Sequence, residues 1–341
     1  MNLYNRDSRE VLKKRLMEEM FSRTTISFYR YVRFGDPKQI RDLLFMQWSE
    51  MNCLGRIYIA REGINAQMSV PTHCLPEFLE KLEQHPGLEN LPVKYAIEDN
   101  GKSFYKLTVK VRPKIVADGL NDDAFDVTNV GRHLTAHEFH DLIGHPDVVV
   151  VDMRNHYESE VGHFRGAVCP PADTFREEIN MVVDQLENKK GRKILLYCTG
   201  GIRCEKASAF LKHHGFNDVN QLHGGIIEYA RKIRQLGLES KFIGKNFVFD
   251  ERMGESVNGE IIAHCHQCGK KCDTQINCAN DLCHILFIQC ETCAAKYKGC
   301  CSDECRSVLL IPDSDRKAFA PSFQRRFGNR KAFRTDLECF I

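Results

Sequence analysis

The amino-terminal part of the chain alternates between two hydrophobic periodicities. Period-two runs rich in β-branched and aromatic residues predict strands at residues 26–29, 56–59, 67–70 and 105–111. Runs with helical spacing predict one helix at residues 36–51, capped by Asp36, and a second at residues 71–84 that starts at Pro71. This order of elements predicts an α+β, ferredoxin-like domain over residues 23–120.

Unbroken apolar runs separated by helices indicate a second domain at residues 130–240. Strands are predicted at residues 148–151, 193–197 and 219–222, with helices at 174–188 and 205–213. Continuous apolar strands are typical of a parallel sheet that helices cover on both faces, so we expect a doubly wound α/β domain. Residues 113–129, rich in Asp, Gly and Asn, are interpreted as a linker.

The two ends of the chain are more polar. Residues 1–22 predict an amphipathic helix and do not have the continuous apolar region of a signal peptide. The longest aliphatic run, residues 148–151, is too short to span a bilayer, so we expect a cytoplasmic protein without membrane contact. The basic tail, residues 306–341, is a candidate RNA contact, although disorder is the stronger interpretation. Its aromatic residues are Phe319, Phe323, Phe327 and Phe333.

Composition changes this picture mainly through cysteine. A chain of 341 residues with 43% hydrophobic residues, 28% charged residues and a net charge of +2 is an ordinary globular protein, not a histone-like polyanion binder. Its 16 cysteines stand out, because a reducing cytosol keeps thiols free or bound to metals. Most of them lie between Cys265 and Cys305.

The most reactive cysteine predicted is Cys198, which ends an apolar strand. The residues that follow it are Thr199, Gly200, Gly201, Ile202 and Arg203. The glycines let several backbone N–H groups converge on an anion, forming a nest. The amino terminus of the next helix and the Arg203 guanidinium favour negative charge at the same place. The loop therefore predicts a low-pKa nucleophile at Cys198.

The size of this loop separates two kinds of chemistry. Cys198 and Arg203 are one residue closer than in a tyrosine-phosphatase loop, which favours sulfur or redox chemistry over phosphate binding. Cys198 as a merely packed small residue is disfavoured by the adjoining glycines and arginine. Cys204 is either a resolving thiol for Cys198 or a packed residue of the helix, and the sequence does not decide between the two.

Several short motifs of the second domain resemble a rhodanese-homology domain over residues 130–235. They are Asp152-Met153-Arg154, Glu158, residues 162–167, the loop at residues 198–203 and Gly224-Gly225. In that family the cysteine matching Cys198 carries a persulfide. We interpret Asp152, Arg154 and the pair Gly162-His163 as structural capping and turn residues.

Longer motifs resemble the bacterial tRNA uridine(34) hydroxylases over most of the chain. They are GRIYIAREGINA at residues 55–66, KVR at 110–112, YCTGGIRCEKAS at 197–208 and GKNFVFDER at 244–252. The resemblance implies an oxidoreductase that hydroxylates the wobble uridine of tRNA to 5-hydroxyuridine, with molecular oxygen as co-substrate. It reveals neither the reductant, nor the tRNA subset, nor protein partners, nor the oligomeric state.

Two other functions remain in view. A sulfurtransferase that relays persulfide sulfur from Cys198 to an acceptor would suit the rhodanese loop by itself. A non-catalytic adaptor with a zinc-knuckle binding module is the alternative from another class, and the intact Cys198 speaks against it.

The cysteine-rich segment, residues 241–305, predicts metal binding. Cys265-x2-Cys268 and Cys290-x2-Cys293 have the spacing of a structural zinc knuckle, and the two pairs complete one tetrahedron. A second site is assigned to Cys278, Cys283, Cys301 and Cys305, from a pool that also contains Cys272, Cys300, His264, His266 and His284. Zinc is expected, although all-thiolate sets also hold iron–sulfur clusters.

A basic series is predicted to contact RNA. Lys102, Lys106, Lys110 and Arg112 follow one another along the predicted strand at residues 105–111, where even-numbered positions share a face. With Phe104 and Tyr105 they could follow the phosphates of a tRNA anticodon stem-loop or stack on a base. A solvated sheet face is the equally strong alternative.

Overall fold

The computed structural model describes residues 7–316, so the four tail phenylalanines lie outside the described residues. The helices are α1 (Arg9–Glu18), α2 (Pro37–Glu50), α3 (Leu75–Glu83), α4 (Ala136–Leu142), α5 (His156–Ser159), α6 (Phe175–Gln185), α7 (Ile202–His213), α8 (Gly225–Gln235), α9 (Glu291–Tyr297), α10 (Asp303–Leu309) and α11 (Asp313–Arg316). The strands are β1 (Arg23–Tyr31), β2 (Leu54–Ala60), β3 (Gly63–Pro71), β4 (Lys94–Tyr95), β5 (Leu107–Val111), β6 (Arg132–Leu134), β7 (Val148–Asp152), β8 (Gly162–Phe164), β9 (Lys193–Tyr197), β10 (Asp218–Leu222), β11 (Phe242–Asn246), β12 (Glu255–Ser256), β13 (Gln275–Asn277) and β14 (Leu286–Ile288).

The amino-terminal sheet has the strand order β4-β1-β3-β2-β5. The first four strands pair antiparallel, and β5 joins β2 in parallel at the edge. Trp48 of α2 and Phe78 of α3 pack together against Phe28 of β1, so both helices cover the apolar face of this sheet. The predicted ferredoxin-like fold is confirmed, because β1 to β4 with α2 and α3 form its βαββαβ unit.

One strand and one helix boundary of this domain differ from the sequence prediction. The fourth strand of the unit is β4, in which Lys94 lies opposite Ser27, whereas the predicted strand at residues 105–111 is the added edge strand β5. The predicted helix start at Pro71 is wrong. Pro71 still lies opposite Arg23 in the sheet, and α3 begins only at Leu75, after a short 3-10 turn.

The second domain is built on a parallel sheet with the order β6-β10-β9-β7. Alternate residues of β9 enter two different cores, Ile194 and Leu196 on one face and Leu195 on the other. Helices α6 and α7 complete the first core, and α4 and α8 complete the second. Cores on both faces confirm the doubly wound α/β prediction.

The segment predicted as a linker, residues 113–129, has no helix or strand but is well packed. The Lys114 ammonium lies 2.7 Å from a carboxylate oxygen of the buried Asp118 and 2.8 Å from one of Asp122. Lys206 of α7 binds Asp122 and also Glu62, each at 2.9 Å. The connection therefore joins the two domains through charges and is more than a spacer.

The carboxyl-terminal part extends from the second domain. Strand β11 pairs with β8 and β12, and β13 pairs with β14, so short strands connect this region to the parallel-sheet domain. Its interior consists of two small clusters in which cysteines pack with a few apolar side chains. Within residues 7–316, no helix is both long enough and apolar enough to cross a membrane.

Candidate active site

Cys198 follows directly after β9, at the carboxyl edge of the parallel sheet, and α7 begins at Ile202. Its side chain is fully buried. The backbone N–H of Gly201 donates to the Cys198 Sγ at 3.1 Å, and Gly201 has a φ of 100°, which a glycine adopts without strain. The predicted anion nest of residues 199–202 thus has one N–H directed at the sulfur.

The electrostatic surroundings favour a thiolate at this position. Burial raises the pKa of Cys198, but a hydrogen bond from the Cys204 thiol, the charge of Arg203 and the backbone N–H groups of Arg203 and Gly201 lower it to about 5. Burial and the neighbouring sulfur raise the pKa of Cys204. The surroundings therefore favour the thiolate at Cys198 and the neutral thiol at Cys204.

The Arg203 side chain is held by a carboxylate and not by the sulfur. Its two terminal nitrogens donate to the two Glu158 oxygens at 2.6 and 2.9 Å, in a fork geometry that fixes the guanidinium plane. Glu158 is fully buried and closes the capping box of α5 with Asn155. The sequence motif pointed to Glu158 only through resemblance and did not reveal this role.

A second glycine loop is fastened to the reactive loop. The N–H groups of Ile226 and Ile227, at the start of α8, donate to the carbonyls of Cys198 and Thr199 at 3.0 and 3.2 Å. Gly225 has a φ of 66°, and a Cβ there would lie 2.5 Å from the Cys198 carbonyl oxygen. Only glycine fits this contact, so the position of Cys198 depends on both loops.

A cavity of about 530 Å³ separates the Cys198 loop from the polar face of the amino-terminal sheet. This volume lies in the range of small-ligand sites. Phe249 of the carboxyl-terminal part lines the cavity. Part of its wall is formed by amide and aromatic residues of the first domain, namely Asn65, Gln67, Tyr29 and Tyr58.

Lys94 of β4 reaches the same cavity from the first domain. Lys94 is only 7% exposed, and its ammonium lies 4.6 Å from the centre of the Tyr29 ring. Burial lowers the pKa of Lys94 to about 8, against the opposing charges of Cys198, Glu228 and Glu205. The sequence interpretation missed this residue, although the alternation of Val93, Tyr95 and Ile97 was a weak strand signal.

A larger cleft of about 1330 Å³ lies on the other side of Tyr29 and Lys94, which line both spaces. Basic side chains of both domains contribute to its wall, namely Arg30, Arg33, Arg61, His133 and Lys206. Part of this charge is neutralised inside the cleft, since Lys206 binds Glu62 and Asp122.

The four basic residues predicted to contact RNA are exposed but do not form one strand. Lys110 lies on β5, whereas Lys102 and Lys106 precede the strand and Arg112 follows it. In the described part of the chain none of the four lines the cavity at Cys198. The Arg112 guanidinium lies 5.5 Å from the ring centre of Tyr58, which does line it.

The structure gathers eight cysteines into two sets of four. One set is Cys265, Cys268, Cys290 and Cys293, and the other is Cys278, Cys283, Cys301 and Cys305. Within each set the sulfur atoms all lie within 4.8 Å of one another, and none of these cysteines forms a disulfide. Four convergent thiols are the donor set that zinc or an iron–sulfur cluster takes, so the residues fit a metal.

The first cysteine set packs against the helix that carries Glu158. His266, between two of its cysteines, bonds the buried Glu160 at 2.6 Å. Gln275 donates to the Tyr157 carbonyl at 2.7 Å. Helix α5 is thus held from one side by the cysteine-rich part and from the other by Arg203.

Three family matches cover most of the described chain. Residues 23–115 match the UPF0176 acylphosphatase-like domain, residues 135–232 the rhodanese-like domain, and residues 243–306 the rhodanase C-terminal region.

Among the relatives of this chain, a Leptospira interrogans protein is 57% identical over 92% of this chain and 86% of its own length. A Yersinia pestis protein is 53% identical over 93% and 89%. Both are named tRNA uridine(34) hydroxylase.

Solved structures are similar over one domain. A rhodanese-like domain from Anabaena is 25% identical over 33% of this chain and 78% of its own, with a TM-score of 0.27. One from Staphylococcus aureus is 24% identical over 29% and 90%, with a TM-score of 0.25.

Proposed function

The chain belongs to the family of tRNA uridine(34) hydroxylases, and we propose on this basis that it converts the wobble uridine of tRNA to 5-hydroxyuridine in the cytoplasm. The observation that carries the proposal is the Cys198 thiolate at the wall of a cavity of about 530 Å³, which is suited to one nucleoside. The base must leave its stack to reach this sulfur, as anticodon-loop bases can.

The chemistry assigned to Cys198 is nucleophilic. Addition of its sulfur to C6 of uracil would place electron density at C5, where an oxygen donor reacts. The backbone N–H groups of Gly201 and Arg203 and the charge of the Arg203 side chain keep the sulfur anionic, and Cys204 serves as the reductive partner. The reaction is of monooxygenase type, with molecular oxygen as co-substrate and electrons from a reductant outside this chain.

We assign structural zinc to the two cysteine sets. Four thiolates within 4.8 Å repel one another, and a divalent cation at their centre removes this repulsion. When bound, the metal supplies folding energy to the carboxyl-terminal part. It takes no part in the chemistry at Cys198.

We assign RNA contacts to Lys102, Lys106, Lys110 and Arg112, whose exposed charges flank the sheet that faces the cavity. Affinity for an anticodon stem-loop should fall steeply with salt, because bound phosphates release counterions. Replacing Lys110 and Arg112 with Gln should make the log–log salt slope less negative by about 0.7 for each removed contact. Lys81→Gln, on the helical side of the same sheet, is the matched control. An unchanged slope in the double variant would contradict these contacts.

Nucleoside mass spectrometry of tRNA tests the function itself. A strain without the gene should lose a uridine that carries one extra oxygen, and the wild-type gene should restore it. Loss of a thiolated nucleoside instead would identify a sulfurtransferase. An unchanged nucleoside profile would favour the adaptor alternative.

A further inference from the structure

We propose that Lys94 is a catalytic residue that the first domain supplies to the Cys198 centre, where its ammonium binds the uracil O4 and stabilises the negative charge that develops there. The inference rests on the proposed function and adds to it a residue from outside the rhodanese-like domain. It is carried by the geometry of β4, by the lack of a carboxylate partner among residues 7–316 and by the cavity that Lys94 shares with Cys198.

Strand β4 aims the Lys94 side chain at the reactive loop. Lys94 lies opposite Ser27 of β1, on the polar face of the sheet, while Tyr95 packs into the apolar core on the other face. Across the cavity, a Cβ at Gly224 would lie 3.8 Å from the Lys94 Cε. Gly224 precedes the helix that is bonded to the Cys198 carbonyl, so the lysine meets the second glycine loop directly.

The ammonium has no polar partner of its own. Among residues 7–316, Lys94 Nζ makes no hydrogen bond and no salt bridge, although the residue is only 7% exposed. Its one close neighbour is the Tyr29 ring, 4.6 Å away, and the Tyr29 hydroxyl is itself bonded to Glu205 at 3.1 Å. A buried cation in this state binds an anion or a polarised oxygen readily, because it has already lost most of its water.

The charged groups around Lys94 leave its ammonium available to bind a substrate. The ionisable groups that face it are Tyr29, Cys198, Glu205 and Glu228. Glu205 is occupied by Tyr29, His133 and Gln221, and Glu228 lies 3.9 Å from Lys232. The Cys198 thiolate is the one anion among these that shares the 530 Å³ cavity with Lys94, so a substrate in this cavity has the sulfur and the ammonium in the same wall.

The chemistry of the addition step needs a cation at this place. When Sγ bonds to C6, the C5–C6 π bond breaks and its electron pair moves through C4 to O4, which becomes an enolate oxygen. A preformed ammonium stabilises this charge more than it stabilises the neutral carbonyl, which lowers the barrier. If C5 then takes a proton from water, loss of the original C5 proton and of the sulfur restores uracil, with no oxidant consumed.

This reversible addition can be measured in the absence of oxygen. The full-length protein is incubated anaerobically in D₂O with an anticodon stem-loop that contains uridine 34, and exchange of the C5 hydrogen for deuterium is followed by nucleoside mass spectrometry. Lys94→Met should slow exchange by about 100-fold, the usual effect of losing one stabilising donor of this kind. Lys94→Arg should recover part of the rate because it retains the charge. Stem-loop affinity and the melting temperature report on binding and folding separately.

Two control variants make the result decisive. Lys81→Met removes a lysine charge from the same domain, on α3 and outside both spaces, and should exchange at the wild-type rate. Cys198→Ser should not exchange. Equal rates for Lys94→Met and wild type would overturn the role of Lys94 and leave the proposed function standing. Absence of 5-hydroxyuridine from the tRNA of a deletion strain that carries the wild-type gene would instead overturn the proposed function. Product in that strain without anaerobic exchange would overturn the addition step and the Lys94 proposal with it.

Discussion

The reactive loop and the cysteine-rich part both bury thiols, but they stabilise thiolate charge by different means. At Cys198 a single sulfur receives an N–H from Gly201 at 3.1 Å, a thiol donor and the field of a paired arginine. Each of the two cysteine sets contains four sulfurs that lie within 4.8 Å of one another, so thiolates in a set repel their neighbours. The first arrangement leaves a nucleophile, whereas the second is a donor set that can hold a cation bound to every sulfur.

The difference shows that the chemistry of a cysteine depends on whether its thiolate is stabilised alone by the protein or together with other thiolates by one cation. Fixed dipoles lower the pKa of a lone thiol and leave its lone pairs free to react. A central metal ion binds those lone pairs, and it makes the thiols structural. Each prediction below changes one side of this comparison.

The largest effect is expected from Cys198→Ser. A serine hydroxyl does not ionise near neutral pH, so 5-hydroxyuridine formation should be abolished, while the small change in volume leaves the fold intact. Mass spectrometry of tRNA from a complemented deletion strain measures the product, and the melting temperature measures the fold. Wild-type levels of 5-hydroxyuridine would remove Cys198 from the mechanism.

Loss of one metal-binding thiolate should have the next largest effect. The wild-type protein should contain about two zinc equivalents per chain, one for each four-thiolate set. Cys283→Ser should retain about one and should lower the melting temperature, because metal binding and folding are coupled in such sites. Elemental analysis measures both proteins. Less than half an equivalent of any transition metal in the wild type would contradict the assignment.

A smaller effect is expected when the charge behind Cys198 is removed. The wild-type rate of Cys198 alkylation should be constant near pH 7 and should fall as the pH drops through about 5, because the thiolate then becomes protonated. A positive charge favours the thiolate, so Arg203→Met should raise this midpoint by roughly one to three pKa units. At pH 7 an increase at the upper end leaves about a tenth of the sulfur ionised, and product formation should fall about tenfold.

A double variant separates the two charges of the pair. In Arg203→Met the buried Glu158 side chain loses its cationic partner, and any negative charge that it keeps repels the thiolate. Arg203→Met with Glu158→Gln removes both charges, and its alkylation midpoint should lie between those of the single variant and the wild type. Equal midpoints in the single and double variants would show that Glu158 does not act on the sulfur.

The smallest effect is expected at Cys204. A serine still donates a hydrogen bond to the Cys198 thiolate, so Cys204→Ser should change the alkylation midpoint little and should lose only part of the activity, which added thiol reductant restores. Cys204→Ala removes the donor and should raise the midpoint further, because that hydrogen bond lowers the pKa of Cys198. Identical midpoints in the two variants would remove the hydrogen bond from this account.

Local sequence was sufficient for the elements whose causes lie within a few residues. The apolar runs at residues 148–151 and 193–197 predicted buried parallel strands, because such strands are apolar on both faces. The glycines after Cys198 predicted a tight loop at a helix start, which Gly201 provides with a φ of 100°. The two Cys-x2-Cys pairs predicted one cysteine set, since that spacing directs two thiols to the same point.

The tertiary structure decided the features that depend on residues far apart in the chain. Strand β4 has only two residues and little periodicity, and it exists because β1 offers an open edge for pairing. The ion pair of Glu158 and Arg203 joins two helices through residues that are 45 positions apart in the chain. Lys94 and Cys198 line one cavity only because the sheet of one domain docks on the loop of the other. Periodicity records which face of an element is buried, whereas partners across a domain interface are set by how the folded elements pack together.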